Sequence, residues 1–260
     1  MIIDFHAHIG RGMNTANALQ RDISPAKILN YADEAGVDKT VIFPVTSDDY
    51  SRANRDIYEA VQSHPGRLIG FCRVAPENPD AMKHLETAVH SYGLQGLKLH
   101  PGCDSMKLEG DPVARLIQYC GELKIPVIFD CAPRPGRVEG LTRLAERCPQ
   151  TIIVMAHMGM GGFWNLAALE QCVLAAERLP NVYLDTAMVD LLPILEDAIR
   201  RVPGKILLGS DSPAMHPAVN IEMIRVLHLP GDVENRVLGG NAAGLLTCLS
   251  HDLIQVRNAG

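Results

Sequence analysis

Near its start the chain reads Ile2-Ile3-Asp4-Phe5-His6-Ala7-His8, a short apolar run that ends in two histidines two residues apart. Residues at this spacing on a strand face the same side, so His6 and His8 can point together into one site. Two imidazoles on a rigid backbone are suitable ligands for a zinc-like ion, which binds nitrogen at about 2.0–2.1 Å. The stretch therefore predicts a strand that carries half of a metal site.

Further short apolar runs follow along the chain, separated by longer amphipathic stretches. This alternation is typical of βαβ units around a parallel sheet. The predicted strands are Ile2–His6, Thr40–Phe43, Leu68–Val74, Gly96–His100, Val127–Asp130, Ile152–Ala156, Val182–Asp185 and Ile206–Gly209. Eight strands in 260 residues favour a closed (β/α)8 TIM barrel, which usually takes about 250 residues, over an open doubly wound sheet. No glycine-rich phosphate motif follows a strand, so nucleotide binding lacks its usual support.

Helix start and stop signals lie between these strands. Ser24-Pro25 is predicted to begin the first helix, and Gly36 lies near its end. The other predicted helices are Ala81–Tyr92, Asp111–Leu123, Leu141–Arg147, Asn165–Arg178, Asp190–Arg201 and Ala218–Leu227, with one or two more in Asp232–Leu249. Linkers and low-complexity tracts are missing from the sequence. We therefore expect a single α/β domain over residues 1–260, with extra C-terminal helices.

Composition narrows the class of protein. The 30 acidic and 24 basic side chains give a formal charge of −6, which argues against a nucleic acid or an anionic membrane as partner. The seven cysteines form no CxxC pair and are typical of a reducing compartment. The start of the chain lacks the features of a signal peptide, and no apolar run approaches the ~20 residues of a membrane span. We expect a cytoplasmic protein with a small-molecule substrate, and a homodimer is a further expectation.

Five of the predicted strand ends present histidine or carboxylate side chains. In a (β/α)8 barrel, reacting residues lie at these C-terminal ends. The segments concerned are His6-Ala7-His8, Lys98-Leu99-His100, Asp130-Cys131, His157-Met158-Gly159 and Ser210-Asp211-Ser212. Barrel closure places Asp211 beside the first strand, where it can ligate a metal and act as general base on water activated by that ion. His157 is suited to polarising a carbonyl group or protonating a leaving group.

Two of these residues can also have purely structural roles. His157 can be a hydrogen-bonded core histidine, and Asp211 can cap the helix predicted near Pro213, a role that aspartate often fills. The presence of His6 and His8 at a neighbouring strand end favours the interpretation as a site.

Three cationic or polar residues are candidates for substrate binding. Lys98 and His100 share a face of the fourth predicted strand, where they can contact an anionic substrate; alternatively, Lys98 pairs with an acid such as Asp130. Arg134 follows the fifth strand, and its planar fork suits a substrate carboxylate. It can equally be a solvated loop residue.

Together these segments resemble the amidohydrolase superfamily, in its amidohydrolase 2 branch, which includes decarboxylases and lactonases. The resemblance rests on Asp4–His8, Gly96–Pro101, Ala156–Gly159, Gly209–Pro213 and Val237–Ala243. It implies one divalent metal, held by the HxH pair, a histidine that ends the fifth strand and the aspartate of the eighth. It also implies that the histidine of the sixth strand is a catalytic partner.

One position departs from the family pattern. His6, His8, His157 and Asp211 match it, but Asp130 stands where a histidine is expected. Asp130 can ligate the metal through oxygen, which zinc and manganese both accept. Two alternatives stay open: His100 on the neighbouring strand replaces the missing ligand, or the ion is absent and the site holds an anionic substrate, as in the lactonase subgroup.

The leading hypothesis is a metal-dependent hydrolase that cleaves a C–N or C–O bond of a small, carboxylated metabolite. Its ion, zinc in the first place and manganese or iron otherwise, would be held by His6, His8, Asp130 and Asp211. Asp211 would then take a proton from water, and His157 would stabilise the developing oxyanion. The alternatives are a decarboxylase or metal-independent lactonase of the same family, and a degenerate barrel that only binds a ligand.

Overall fold

The computed structural model describes residues 1–10, 23–104, 106–131, 136–160 and 165–246. Within these ranges the strands are β1 (Ile3–Ile9), β2 (Lys39–Pro44), β3 (Leu68–Gly70), β4 (Cys72–Arg73), β5 (Leu97–Leu99), β6 (Val127–Phe129), β7 (Ile153–Met155), β8 (Val182–Asp185) and β9 (Ile206–Leu207). The helices are α1 (Pro25–Ala35), α2 (Tyr50–Ser63), α3 (Ala81–Glu86), α4 (Asp111–Glu122), α5 (Arg137–Arg147), α6 (Leu166–Arg178), α7 (Leu192–Arg201), α8 (Pro217–Arg225) and α9 (Gly231–Asn235). None of the described helices has the length and hydropathy needed to span a membrane.

The strands close into a parallel barrel. They pair in the orders β1-β2-β3 and β4-β5-β6-β7-β8-β9, and the two runs join where the Phe71 amide donates to the Ile42 carbonyl at 2.9 Å. On the other side, the Phe5 amide donates to the Leu208 carbonyl at 2.7 Å, and Ala7 forms a parallel bridge with Ser212. Since β3 and β4 together occupy the predicted third strand, the predicted (β/α)8 barrel is confirmed.

Burial on both faces explains why the strands are continuous apolar runs. The rings of Phe5 and Phe71 are fully buried and meet edge to face, 5.6 Å apart. Gly96 lies directly before β5 and leaves the space for this packing, because a Cβ there would overlap the Phe71 ring. The core therefore sets the residue type at Gly96 as well as at the large side chains.

The helices follow most of the predicted signals. Ser24 caps α1 by accepting from the Lys27 amide at 3.2 Å, and Gly36 ends that helix with a left-handed φ of 69°. The predictions omit α2, although Asp49 caps it by accepting from the Arg52 amide at 3.1 Å. α5 begins at Arg137 rather than at the predicted Leu141, so four more residues belong to that helix.

The C-terminal segment is helical over residues 231–246, with a π-helical turn at Arg236–Gly240. It packs against β1 and β9: the Val237 carbonyl accepts from the Leu208 amide at 3.2 Å, and Asn241 donates to the Ile206 carbonyl at 2.8 Å. The prediction of extra C-terminal helices is confirmed as far as residue 246, and residues 247–249 of that prediction lie outside the described ranges.

Candidate active site

Three predicted ligands meet at the barrel mouth, by which we mean the C-terminal ends of the strands. His8 Nε2 lies 2.9 Å from Asp211 Oδ1, and His6 Nε2 lies 3.3 Å from the same oxygen. One potential ligand atom of each residue lies within 4.8 Å of the others. The Asp211 amide donates to the His6 carbonyl at 2.8 Å, so barrel closure itself positions the carboxylate.

Asp185 fixes the tautomer of His6. Its Oδ2 lies 2.8 Å from His6 Nδ1, so His6 donates from Nδ1 and leaves Nε2 unprotonated. Burial, followed by the nearby Lys98 charge, lowers the pKa of His6 to about 4, against the opposing effect of Asp185. His6 is therefore neutral at pH 7, as a metal ligand must be.

His8 and Asp211 complete a donor set that fits a cation. Burial lowers the pKa of His8. For Asp211, burial raises the pKa, but the hydrogen bond and charge of His8 outweigh that effect and lower it overall. The Nδ1 atom of His8 is buried and has no hydrogen-bond partner among the described residues. Two imidazole nitrogens and one carboxylate oxygen match the three protein ligands typical of a catalytic zinc site.

The contact between His6 Nε2 and Asp211 Oδ1 supports the same conclusion. Both atoms are acceptors when His6 donates from Nδ1, so positive charge beside them would stabilise their 3.3 Å separation. Lys98 supplies some of it, since its Nζ lies 3.4 Å from His6 Nε2. A divalent ion at this position would satisfy both acceptors more directly, and the residues present therefore fit a metal.

His157 and Asp130 form a second pair in the mouth. His157 Nε2 lies 3.2 Å from Asp130 Oδ2, and Nδ1 donates to the Ala187 carbonyl at 3.1 Å. Burial alone would lower the pKa of His157, but the bond to Asp130 and the charges of Asp211, Asp130 and Asp185 raise it to about 9. His157 is therefore an imidazolium at neutral pH, with both ring nitrogens donating.

Asp130 contacts histidines other than His6 and His8, the two predicted metal ligands. Besides His157, its Oδ2 lies 3.3 Å from His100 Nε2, and its Oδ1 lies 3.8 Å from Arg137 Nη1. Burial raises the pKa of Asp130, but the hydrogen bond and charge of His157, with His100 and Lys98, bring it well below its usual value. Asp130 is thus the counter-ion of His157, and its role as a metal ligand stays a prediction.

His100 is a neutral donor in this arrangement. Its Nδ1 accepts from the Cys103 amide at 3.1 Å, so the ring proton is on Nε2, which faces Asp130. Burial lowers the pKa of His100 to about 3, against the charge of Asp130 and together with the charge of Lys98. Its contact with substrate stays a prediction, and the ring is partly exposed at the mouth.

Lys98 lies inside the mouth with 1% of its surface exposed. Its ammonium lies 4.9 Å from the centre of the Phe43 ring, a cation–π distance. Burial lowers the pKa of Lys98, and the charges of Asp130, Asp185 and Asp211 oppose that effect. Arg134, the predicted carboxylate clamp, lies outside the described residues.

Asp185 is a site residue that sequence reasoning missed. It is fully buried and, in addition to its bond with His6, its Oδ1 accepts from the amides of His157 at 2.8 Å and Ala187 at 3.1 Å. These bonds explain why His6, His157 and Asp185 also form a compact group of potential ligands. The available signal was the carboxylate at the end of the predicted strand Val182–Asp185.

Arg73 is a second residue that the sequence analysis missed. It ends β4 with 1% of its surface exposed, and its Nη2 donates to both oxygens of Asp104 at 3.1 and 3.2 Å. Tyr50 donates to the same carboxylate at 2.6 Å. This buried ion pair ties the segment after β5, which carries His100, to β4 and α2.

Solved structures with the same fold include enzymes of several kinds. An uncharacterized TIM-barrel protein from Bordetella bronchiseptica aligns with a TM-score of 0.78 at 20% identity, over 96% of this chain and 99% of its own. 2,6-Dihydroxybenzoate decarboxylase from Rhizobium aligns with a TM-score of 0.76 at 15% identity, over 95% of this chain and 98% of its own. A probable 2-pyrone-4,6-dicarboxylic acid hydrolase from Acinetobacter baumannii, with citric acid bound, aligns with a TM-score of 0.72 at 16% identity, over 95% of this chain and 99% of its own. At these identities the likeness establishes the barrel fold.

Sequence comparison gives a more specific result. Among curated protein sequences, none matches this chain. The profile of the amidohydrolase family, however, matches residues 3–247. This range contains every strand and helix described above and the three predicted ligands that converge at the mouth. The resemblance found in the sequence is thereby confirmed, and the chain belongs to the amidohydrolase family.

Proposed function

We propose that this protein is a metal-dependent hydrolase that cleaves a C–N or C–O bond in a small, carboxylated substrate. The observation that carries the proposal is the convergence of His6 Nε2 and His8 Nε2 on Asp211 Oδ1, at 3.3 and 2.9 Å. His6, His8 and Asp211 would hold the ion, and zinc suits this nitrogen and oxygen donor set best. When bound, a divalent ion supplies Lewis-acid activation of water and of a substrate carbonyl group.

The protein's own side chains would then divide the acid and base roles. Asp211 is ionised because its pKa is low, so it can accept a proton from water. His157 carries a positive charge near neutral pH and can stabilise negative charge that develops on the substrate oxygen. Asp130 holds that charge in place, 3.2 Å from His157 Nε2.

The charge of the mouth favours an anionic substrate. Among the described residues of the mouth, three acidic and three basic side chains lie close together: Asp130, Asp185, Asp211, Lys98, Arg137 and His157. Within this group the opposite charges offset one another before an ion binds. A divalent ion would add two positive charges to a buried site, and one carboxylate on the substrate would offset one of them.

Turnover in ¹⁸O-labelled water tests the proposal. The probes are carboxylated lactones, including 2-pyrone-4,6-dicarboxylate, and N-acyl amino acids. We expect the zinc-loaded protein to place one ¹⁸O atom in the product, and we expect chelation to abolish turnover until zinc is restored. Products formed without ¹⁸O would contradict hydrolysis.

A metal-independent lactonase is the second candidate, because Lys98 already places positive charge 3.4 Å from His6 Nε2. In that case the ammonium, rather than an ion, would polarise the substrate. Lactone turnover that survives exhaustive chelation and is lost in Lys98→Met would favour this candidate. Turnover that needs zinc and persists in Lys98→Met would exclude it.

A decarboxylase is the third candidate, because the protonated His157 can deliver a proton to the carbon that loses carbon dioxide. The test is carbon dioxide release from aromatic carboxylates such as 2,6-dihydroxybenzoate, with loss of release in His157→Asn. If wild-type protein incorporates ¹⁸O from water and releases no carbon dioxide, this candidate is wrong.

A further inference from the structure

The ammonium group of Lys98 is buried in an unusual way. Lysine is almost never fully buried unless its charge is paired, and Lys98 has 1% of its surface exposed. Within the described ranges no carboxylate forms an ion pair with it, and its hydrogen-bond partner is His6 Nε2, at 3.4 Å. The carboxylates of Asp130, Asp185 and Asp211 act on it at longer range. The contact with His6 therefore needs an explanation beyond charge pairing.

The nitrogen that Lys98 contacts is the one that would bind the metal. Asp185 holds the ring proton of His6 on Nδ1, so Nε2 is unprotonated. An unprotonated imidazole nitrogen offers a single lone pair. It can accept a hydrogen bond from the Lys98 ammonium or bind an ion, but it cannot do both. These two uses of His6 Nε2 exclude each other.

Phe43 gives the ammonium a second contact that does not use this lone pair. The ring of Phe43 is fully buried, and its centre lies 4.9 Å from Lys98 Nζ, a cation–π distance. The same ring meets the rings of His6 and His8 edge to face, at 4.9 and 4.7 Å between centres. The ammonium would therefore keep a favourable neighbour after it gives up the His6 nitrogen.

Charge acts in the same direction as the shared lone pair. Lys98 would lie close to a like charge if His6 Nε2 bound a divalent ion. In a buried site the effective dielectric constant is well below that of water, so like charges repel more strongly there. A neutral side chain at position 98 would remove both the competing hydrogen bond and this repulsion.

We propose that Lys98 competes with the divalent ion for His6 Nε2 and thereby lowers the metal affinity of the mouth. The inference rests on the proposed function and adds a control of metal exchange to it. Metal binding would break the hydrogen bond between Lys98 and His6, and the contact with Phe43 would stay. A residue that only supports the ligands would act in the opposite direction, because its loss weakens metal binding.

Zinc affinity of Lys98→Met, measured by competition with a chromophoric chelator, tests the proposal. Methionine is also long and unbranched but carries no charge. We expect Lys98→Met to bind zinc about 10–100-fold more tightly than wild type, as for removal of one opposing hydrogen bond to a charged group. Lys98→Gln, which keeps a donor but no charge, should show a smaller gain.

Lys205→Met is the matched control. Lys205 Nζ also lies over an aromatic ring, 4.3 Å from the centre of Tyr183. Lys205 comes directly before β9, so it lies at the end of the barrel opposite the mouth. This variant should bind zinc like wild type. The double variant Lys98→Met with His8→Ala locates the bound zinc and should lose the gain in affinity.

Thermal unfolding verifies that each variant is folded, and Lys98→Gln decides the test if Lys98→Met is not. If wild type binds zinc and the folded Lys98 variants bind it equally or more weakly, the competition is overturned and the proposed function stands. A gain that persists in the double variant also overturns it. If wild type binds no zinc but Lys98→Met does, the competition stands and metal-dependent hydrolysis fails. If neither protein binds zinc, both fail.

Discussion

The carboxylate of Asp185 shows how much of the site depends on one buried side chain. It accepts from His6 Nδ1 and from the His157 amide, so it sets the tautomer of one histidine and the backbone position of another. Such partners orient metal ligands, and their loss typically costs 10–100-fold in affinity. The importance of Asp185 follows from these contacts, which link it to His157 and to His6, 28 and 179 positions away in the sequence.

Asp185→Asn should weaken zinc binding by roughly 10–100-fold. An amide can donate to His6 Nδ1, which would move the ring proton to Nε2 and block the ligand nitrogen. Competition with a chromophoric chelator measures the affinity. The surface variant Asp197→Asn serves as control and should bind zinc like wild type. Equal affinity in Asp185→Asn would show that the tautomer is not set by this contact.

Asp4 predicts a pH dependence of stability. It accepts from the amides of Ser210 at 2.9 Å and His6 at 3.2 Å and from the Ser210 hydroxyl. Burial raises the pKa of Asp4 from 3.8 to about 7, although these hydrogen bonds oppose the shift. For an acid whose pKa is raised on folding, stability is greatest below the unfolded value and is lost as pH rises from 3.8 to about 7.

Asp4→Asn should remove this dependence, because an amide keeps acceptors for both backbone bonds and does not titrate. The free energy of unfolding of wild type minus that of Asp4→Asn should fall by up to about 4 kcal/mol between pH 4 and pH 8. Urea unfolding at several pH values gives this difference. A difference that is flat or rises with pH would contradict the raised pKa.

Among the elements, strands were easier to predict than helices. Strands such as Val127–Phe129 are buried on both faces and so appear as short apolar runs bounded by polar residues. The helix α2 was missed although Asp49 marks its start, because its buried positions Tyr50, Asn54 and Ile57 include a polar side chain that weakens the apolar pattern. The break at Phe71 between β3 and β4 has no signal in the sequence, since it depends on pairing across the barrel.

The close packing before β5 gives a prediction for that element. Gly96→Ala should lower the free energy of unfolding by about 1–3 kcal/mol, because the added methyl group forces the Phe71 ring to move. Gly204→Ala is the control, since a Cβ there meets no atom within 4 Å. Urea unfolding compares the two variants, and equal stabilities would show that the Phe71 ring adjusts without cost.

Across the whole molecule, the sequence predicts which residues reach the mouth, and three-dimensional contacts decide how they are used. His6, His8 and Asp211 were predicted because the end of a barrel strand is a position that can be recognised in the sequence. The contacts of Asp130 with His157 and His100 depend on side-chain directions from three neighbouring strands, which apolar patterns do not encode. The Arg73–Asp104 pair went unnoticed for the same reason.

The central claim is that His6, His8 and Asp211 hold a divalent ion. Metal analysis of protein purified without chelator tests it most directly, with His8→Ala and Asp211→Asn as variants and His84→Ala, on α3, as control. We expect about one equivalent of zinc, manganese or iron in wild type and the control, and strong loss in the two mouth variants. Less than ~0.1 equivalent in wild type, or equal metal in His8→Ala and Asp211→Asn, would contradict the account.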